Sequence, residues 1–154
     1  MIIWRGWGVL AFVYAAVAMM LFGGLMSTVV SKQALPFSMA IGLILAAVAT
    51  WFTGVALNRT APQRKIDTWS EQRRAQLDEL VATGGFSLGP GQPQPRSEAE
   101  ARQMADALFQ HEQEQAKGLM NRHSMFWLPL QYWAFVWAAL ALAVVVLGIT
   151  TLGR

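Results

Sequence analysis

Cysteine is absent from this 154-residue chain, and charge is absent from most of its length. The first absence excludes disulfides, thiolate metal sites and cysteine nucleophiles. The second is organised. Residues 6–31 and 33–58 form two uncharged runs of 26, and residues 124–153 form a third of 30. None of the three contains Asp, Glu, Lys, Arg or His. Ionisable side chains inside a bilayer are costly and mark proton relays, ion paths or counter-ions. Their absence argues against a pump, a proton-coupled transporter or a haem subunit with histidine ligands. Strand-like alternation is missing too. Ala and Leu dominate the runs, and each far exceeds the ~10 residues of a barrel strand.

What is present is 55% hydrophobic by composition and concentrated in those blocks. A helix rises 1.5 Å per residue, so about 20 apolar residues cross a hydrocarbon core of roughly 30 Å. The expected fold is an all-α integral membrane protein with transmembrane helices at 7–30, 36–57 and 126–151. The first run lacks a short apolar region followed by a small-residue cleavage site, so it reads as a retained helix rather than a signal peptide. The connection at 31–36 is short and makes the first two helices antiparallel neighbours, with Pro36 suited to the first turn of the second.

Between spans two and three lies the hydrophilic segment, 58–125. Residues 59–122 hold nine of the twelve Lys and Arg and all nine Asp and Glu. The positive-inside rule makes this segment cytoplasmic, the N-terminus cytoplasmic and the C-terminus periplasmic. Two short helices are expected in it. One, at about 68–83, starts at a Thr68-Trp69-Ser70-Glu71 capping box, carries Ile66, Trp69, Arg73, Leu77 and Leu80 near one face, and stops at Gly84-Gly85. The other, at about 98–117, starts at the Ser97–Glu100 box and carries Ala101, Met104, Ala105, Leu108 and Phe109. Glycine and proline punctuate 84–97, which reads as a flexible linker. Neither helix can bury its stripe alone, so the two pack on each other, on the membrane or on a partner.

Two sets of residues stand out in the spans and at their ends. Gly42, Ala46, Thr50 and Gly54 recur every four residues, a stripe of small side chains suited to close helix packing. Trp4, Arg5, Trp7, Arg122, His123, Trp127, Tyr132 and Trp133 are interface anchors, since indole rings favour the headgroup region and long cationic side chains snorkel to phosphate. If the helices form one bundle, these two ends meet as a single aromatic-cationic cluster.

Reactive constellations are scarce. His111 lies in HEQEQ, where Gln115 replaces the second ligand of H-E-x-x-H, and reads as a solvated surface residue. His123 stands beside Arg122 without a second ligand nearby, and carboxylate pairs such as Asp78-Glu79 read as exposed helix surface. The glycines of 84–91 lack the strand and the Lys-Ser/Thr ending of a phosphate loop. No catalytic residue, metal site or cofactor is expected. The hydrophilic segment sums to zero net charge, which favours lipid headgroups over nucleic acid as its partner.

The opening MIIWRGWG, with RHSMFWLPLQYW before the last span, resembles a group of small uncharacterised bacterial inner-membrane proteins. The resemblance covers about twenty residues. It implies a bacterial source and a two-part signature joined at the cytoplasmic interface, and it implies no activity. The expected function is that of a non-enzymatic inner-membrane interaction protein, an accessory or scaffold subunit of a larger membrane assembly. The alternative is an immunity protein neutralising a membrane-inserting toxin. Expected partners are the lipid bilayer and another membrane protein or a second copy.

Overall fold

The structure is a computed structural model that describes residues 4–152, with the Trp4 side chain left undescribed. The Trp4 anchor side chain, residues 1–3 of the opening motif and Arg154 therefore lie outside the described residues. Of the described residues 77% are helical, and they include three helices long and apolar enough to cross a membrane. It divides into two compact units, Met1–Thr60 with Asn121–Arg154, and Ala61–Met120.

In the first unit, a two-residue strand, β1 (Trp4–Arg5), leads into the first helical run, Gly6–Thr28. This run changes its winding along its length. A 3₁₀ turn precedes α1 (Leu10–Ala18), and a π turn (Met19–Gly24) and a second 3₁₀ turn (Leu25–Thr28) follow it. The expected end at residue 30 is two residues late, since the run closes at Thr28 with Val29 as its C-cap. The second helix, α2 (Leu35–Val55), carries Pro36 in its first turn, where a missing N–H costs nothing. A π turn, Ala56–Thr60, follows it.

α2 is the central element. Its Ala40, Leu43 and Ala47 are buried with Ala15 of α1 and with Ala134, Trp137 and Ala141 of the last helix, α5 (Trp133–Leu152). Phe12 meets Trp133 and Trp137 edge-on at 4.8 and 5.2 Å, which suits the charge distribution of aromatic rings. Apart from the buried Trp137 indole N–H, which meets no acceptor among the described residues, polar side chains in this core find partners. Thr50 Oγ1 donates to the Ala46 carbonyl at 2.7 Å, Ser38 Oγ donates to the Phe22 carbonyl at 2.9 Å, and the Tyr14 and Thr53 hydroxyls share a bond of 3.1 Å.

The second unit is a helical hairpin of α3 (Ala61–Ala82) and α4 (Glu98–Lys117). Its helices pack on each other. Leu77, Val81, Ala101, Ala105 and Phe109 form the core, with Val81 in the place expected for Leu80, which is exposed. Arg73 donates two hydrogen bonds to the Glu112 carboxylate at 2.7 and 2.8 Å, holding that carboxyl below its ordinary range. Arg74 pairs with Asp106 and lies over the Phe109 ring at 5.3 Å.

Three expectations for this region need correction. The helix expected from 68 begins at 61, and Thr68 is not a cap. It lies in the helix interior and donates to the Arg64 carbonyl at 3.0 Å. The helical winding is carried past Asn58-Arg59 by the π turn, and Pro62 falls where a missing N–H is tolerated. The stretch 84–97 is not a plain linker, because Phe86 folds back into the hairpin core and is 4% exposed. The helix ends were legible. Gly84 at φ +69° allows Gly85 N–H to reach the Leu80 carbonyl, and Ser97 Oγ accepts from Glu100 N–H.

Candidate functional site

At one end of the first unit, the chain entering α1, the chain leaving α2 and the chain entering α5 are tied together. The third of these is not helical where a helix was expected. Residues 124–129 form a hairpin instead: β2 (Ser124–Met125) pairs antiparallel with β3 (Leu128–Pro129). Phe126 and Trp127 make the turn at φ +48° and +63°, and Pro129 at ψ 143° keeps the backbone extended until a 3₁₀ turn starts at Leu130. β1 adds to the other edge of β2, with Trp4 opposite Met125 and Arg5 opposite Ser124. The opening segment and the segment before the last helix thus share one three-stranded sheet.

Beneath the sheet lies a buried amide pair. Asn58 and Gln131 are both fully buried. Asn58 Nδ2 donates to the His123 carbonyl and to Gln131 Oε1, each at 2.8 Å, while Asn58 Oδ1 accepts from His123 N–H at 2.8 Å. The carboxamide therefore completes a ladder with the His123 backbone, as a neighbouring strand would. Pro62 has no N–H to return to the Asn58 carbonyl four residues earlier, and Asn121 N–H donates to it at 3.1 Å. Gln131 Nε2 donates in turn to Asn121 Oδ1 at 3.2 Å. Asn121 holds φ +55°, a left-handed conformation that asparagine tolerates better than most residues.

Two glycines make the approach possible. A Cβ at Gly8 would overlap the Ser124 carbonyl, and one at Gly54 would overlap the backbone nitrogen of Gln131. Gly6, at φ +58°, turns the chain from β1 into the first helix and leaves space that the His123 ring fills.

His123 closes the cluster. Trp7 N–H donates to His123 Nδ1 at 3.1 Å, so the ring is neutral with its proton on Nε2. Burial pushes the His123 pKa below its ordinary 6.5, and the charge on Arg122 lowers it further. The sign follows from linkage. A depressed folded-state pKa contributes stability that is complete above the unfolded value and is lost as pH falls through the folded one. Thermal stability in detergent should therefore decline on acidification from about pH 6.5. His123→Gln should flatten that decline and His111→Gln should leave it. The Glu112 carboxyl, held below its ordinary range by the Arg73 hydrogen bonds, moves away from this window. An unchanged slope in His123→Gln would assign the acid sensitivity elsewhere.

The expected anchors occupy different environments. His123 and Trp133 face inward, the indole of Trp133 donating to the Met125 carbonyl at 3.3 Å and packing against Phe12. Arg5, Trp7, Arg122, Trp127 and Tyr132 are exposed. Arg5 stacks on no ring among the described residues, and the segments are joined by backbone pairing and amides rather than by cation–π contacts. The small-residue stripe is buried throughout: Gly42 faces the Phe22 side chain, Gly54 faces Gln131, and Ala46 and Thr50 lie between. Asn58 and Gln131 are not among the residues that sequence pattern singles out, although both are polar residues at the ends of apolar runs.

No family model matches this chain, and neither a curated protein nor a solved structure matches it. The site is therefore understood from its own chemistry. Its amides direct their donors and acceptors to one another and to the backbone, and its histidine nitrogen accepts from the main chain. Such an arrangement fixes three chain segments in register.

Proposed function

We propose that this protein is a non-enzymatic interaction protein of a bacterial inner membrane, an accessory or scaffold subunit of a larger membrane assembly. The observation that carries the reading is the mutual saturation of Asn58, Gln131 and the His123 backbone. Polar groups committed to each other hold shape, and a held shape is what a docking subunit needs. The N-terminus and the 61–120 hairpin lie in the cytoplasm and the C-terminus in the periplasm, supported by nine of twelve Lys and Arg falling within 59–122.

One variant tests both parts. The chain lacks cysteine, so Gln92→Cys, in an exposed stretch of the hairpin, provides a unique thiol. A membrane-impermeant maleimide should leave it unlabelled in intact cells and label it after lysis; labelling of intact cells would overturn the orientation. The same chain, tagged and expressed at native level, should co-purify in mild detergent with one integral membrane protein at constant stoichiometry over two steps. Recovery of the chain alone would refute the subunit role, and recovery with a membrane-inserting toxin would replace it by immunity.

A further inference from the structure

The Phe126-Trp127 turn is an unusual choice of residues. A two-residue hairpin turn with positive φ at both positions is the type I′ pattern, normally filled by Asn-Gly because bulky L-residues are strained there. Here two aromatic rings occupy it. Trp127 is 75% exposed, and Phe126 is 44% exposed with its ring tilted against Trp133 at 6.2 Å. Strain retained at an exposed tip points to a use for the side chains it displays.

The charge around the tip is equally one-sided. In sequence, the unit Met1–Thr60 with Asn121–Arg154 contains Arg5, Lys32, Arg59, Arg122 and Arg154 and no Asp or Glu. Three of these arginines gather at the sheet. Arg5 pairs in register with Ser124, Arg122 precedes His123, and Arg59 follows Asn58 with its guanidinium donating to the Tyr132 hydroxyl at 3.3 Å. All three are exposed, and every ion pair among the described residues lies in the other unit.

We propose that the Phe126-Trp127 tip, with Arg5, Arg59 and Arg122, is a seat for anionic phospholipid headgroups. The rings insert at the boundary between acyl chain and headgroup, and the guanidiniums bind the phosphodiesters above it. Lipid is the occupant because the tip is continuous with apolar helices of membrane-crossing length and only Leu128 and Pro129 separate it from the last of them. Indole at an interface and arginine on phosphate are the chemistry of that boundary. The proposal rests on the helices crossing a bilayer and not on which side the tip faces, nor on any protein partner.

The test uses the purified full-length chain in nanodiscs of phosphatidylcholine mixed with phosphatidylglycerol, with lipids retained on release counted by native mass spectrometry. The wild type should retain phosphatidylglycerol in excess of its share of the disc. Arg122→Gln should reduce that excess roughly five-fold, as should Arg5→Gln and Arg59→Gln. Lys32→Gln, in the loop before α2 rather than at the sheet, should leave it unchanged. Phe126→Asn with Trp127→Gly restores the preferred turn, so it should raise the unfolding temperature while reducing anionic-lipid retention. A drop in retention equal for Lys32→Gln and Arg122→Gln would overturn the proposal. So would full retention in the Asn-Gly variant.

Discussion

Replacing Asn58 with alanine should remove roughly 2–6 kcal/mol of stability, measured by unfolding in mixed detergent micelles. The change deletes three hydrogen bonds and leaves His123 N–H and Gln131 Oε1 without partners. The His123 carbonyl keeps a bond from Leu130 N–H at 3.0 Å, so two groups bear the loss. Each stranded group costs about 1–3 kcal/mol where water cannot replace the partner. Asn58→Asp separates hydrogen bonding from size. It places an oxygen where Nδ2 donated, facing the His123 carbonyl and Gln131 Oε1, so near neutral pH it should be at least as damaging as alanine. A protonated carboxyl can donate again, so the aspartate variant alone should gain stability as pH falls. A loss below about 1 kcal/mol for Asn58→Ala would mean that the sheet holds the segments without the amide.

Gly54→Ala is expected to cost about 1–3 kcal/mol or more, although alanine is the better helix former. The added methyl would meet the nitrogen and Cα of Gln131, which are backbone and cannot rotate aside. Gly24→Ala is the control. Nothing lies within 4 Å of a Cβ at Gly24, so its substitution should be neutral or slightly stabilising. Gly42→Ala should fall between, because its Cβ would meet the Phe22 Cβ at 2.8 Å, an atom fixed to the backbone but less closely approached than the Gln131 nitrogen is at Gly54. Displacing Gln131 also disturbs its bond with Asn58. The double variant Gly54→Ala, Asn58→Ala should therefore cost less than the sum of the two. Strict additivity would separate the glycine contact from the amide pair.

The glycine and the amide also mark how far the sequence could be read. The regular spacing of Gly42, Ala46, Thr50 and Gly54 identifies a stripe by helical geometry alone, and all four are buried in α2. It does not identify what covers each position. Phe22 and the backbone of Gln131 are brought there by other segments, 20 and 77 residues away in the chain. The Ser97 cap and the Gly84 stop were legible for the same reason, because their hydrogen bonds close within a few residues. Thr68 has the same local signature and is not a cap. A helix already under way from Ala61 leaves no free N–H groups for a cap to satisfy.

Length and apolarity alone determined that three helices can cross a membrane, since those depend on rise per residue and on composition. The charge-free runs and the clustering of acidic residues between 59 and 122 were equally plain. Only the tertiary structure decided that the segment before the last helix is a hairpin with Phe126 and Trp127 in left-handed conformations. Local preference argues against that geometry, and it is held by pairing with β1 more than a hundred residues earlier. The Asn58–Gln131 pair spans 73 residues, and an isolated asparagine at a helix end carries no sign of its distant partner. Contacts that close within one turn are encoded in neighbouring letters. Those that close between distant strands depend on the whole chain having already been brought together.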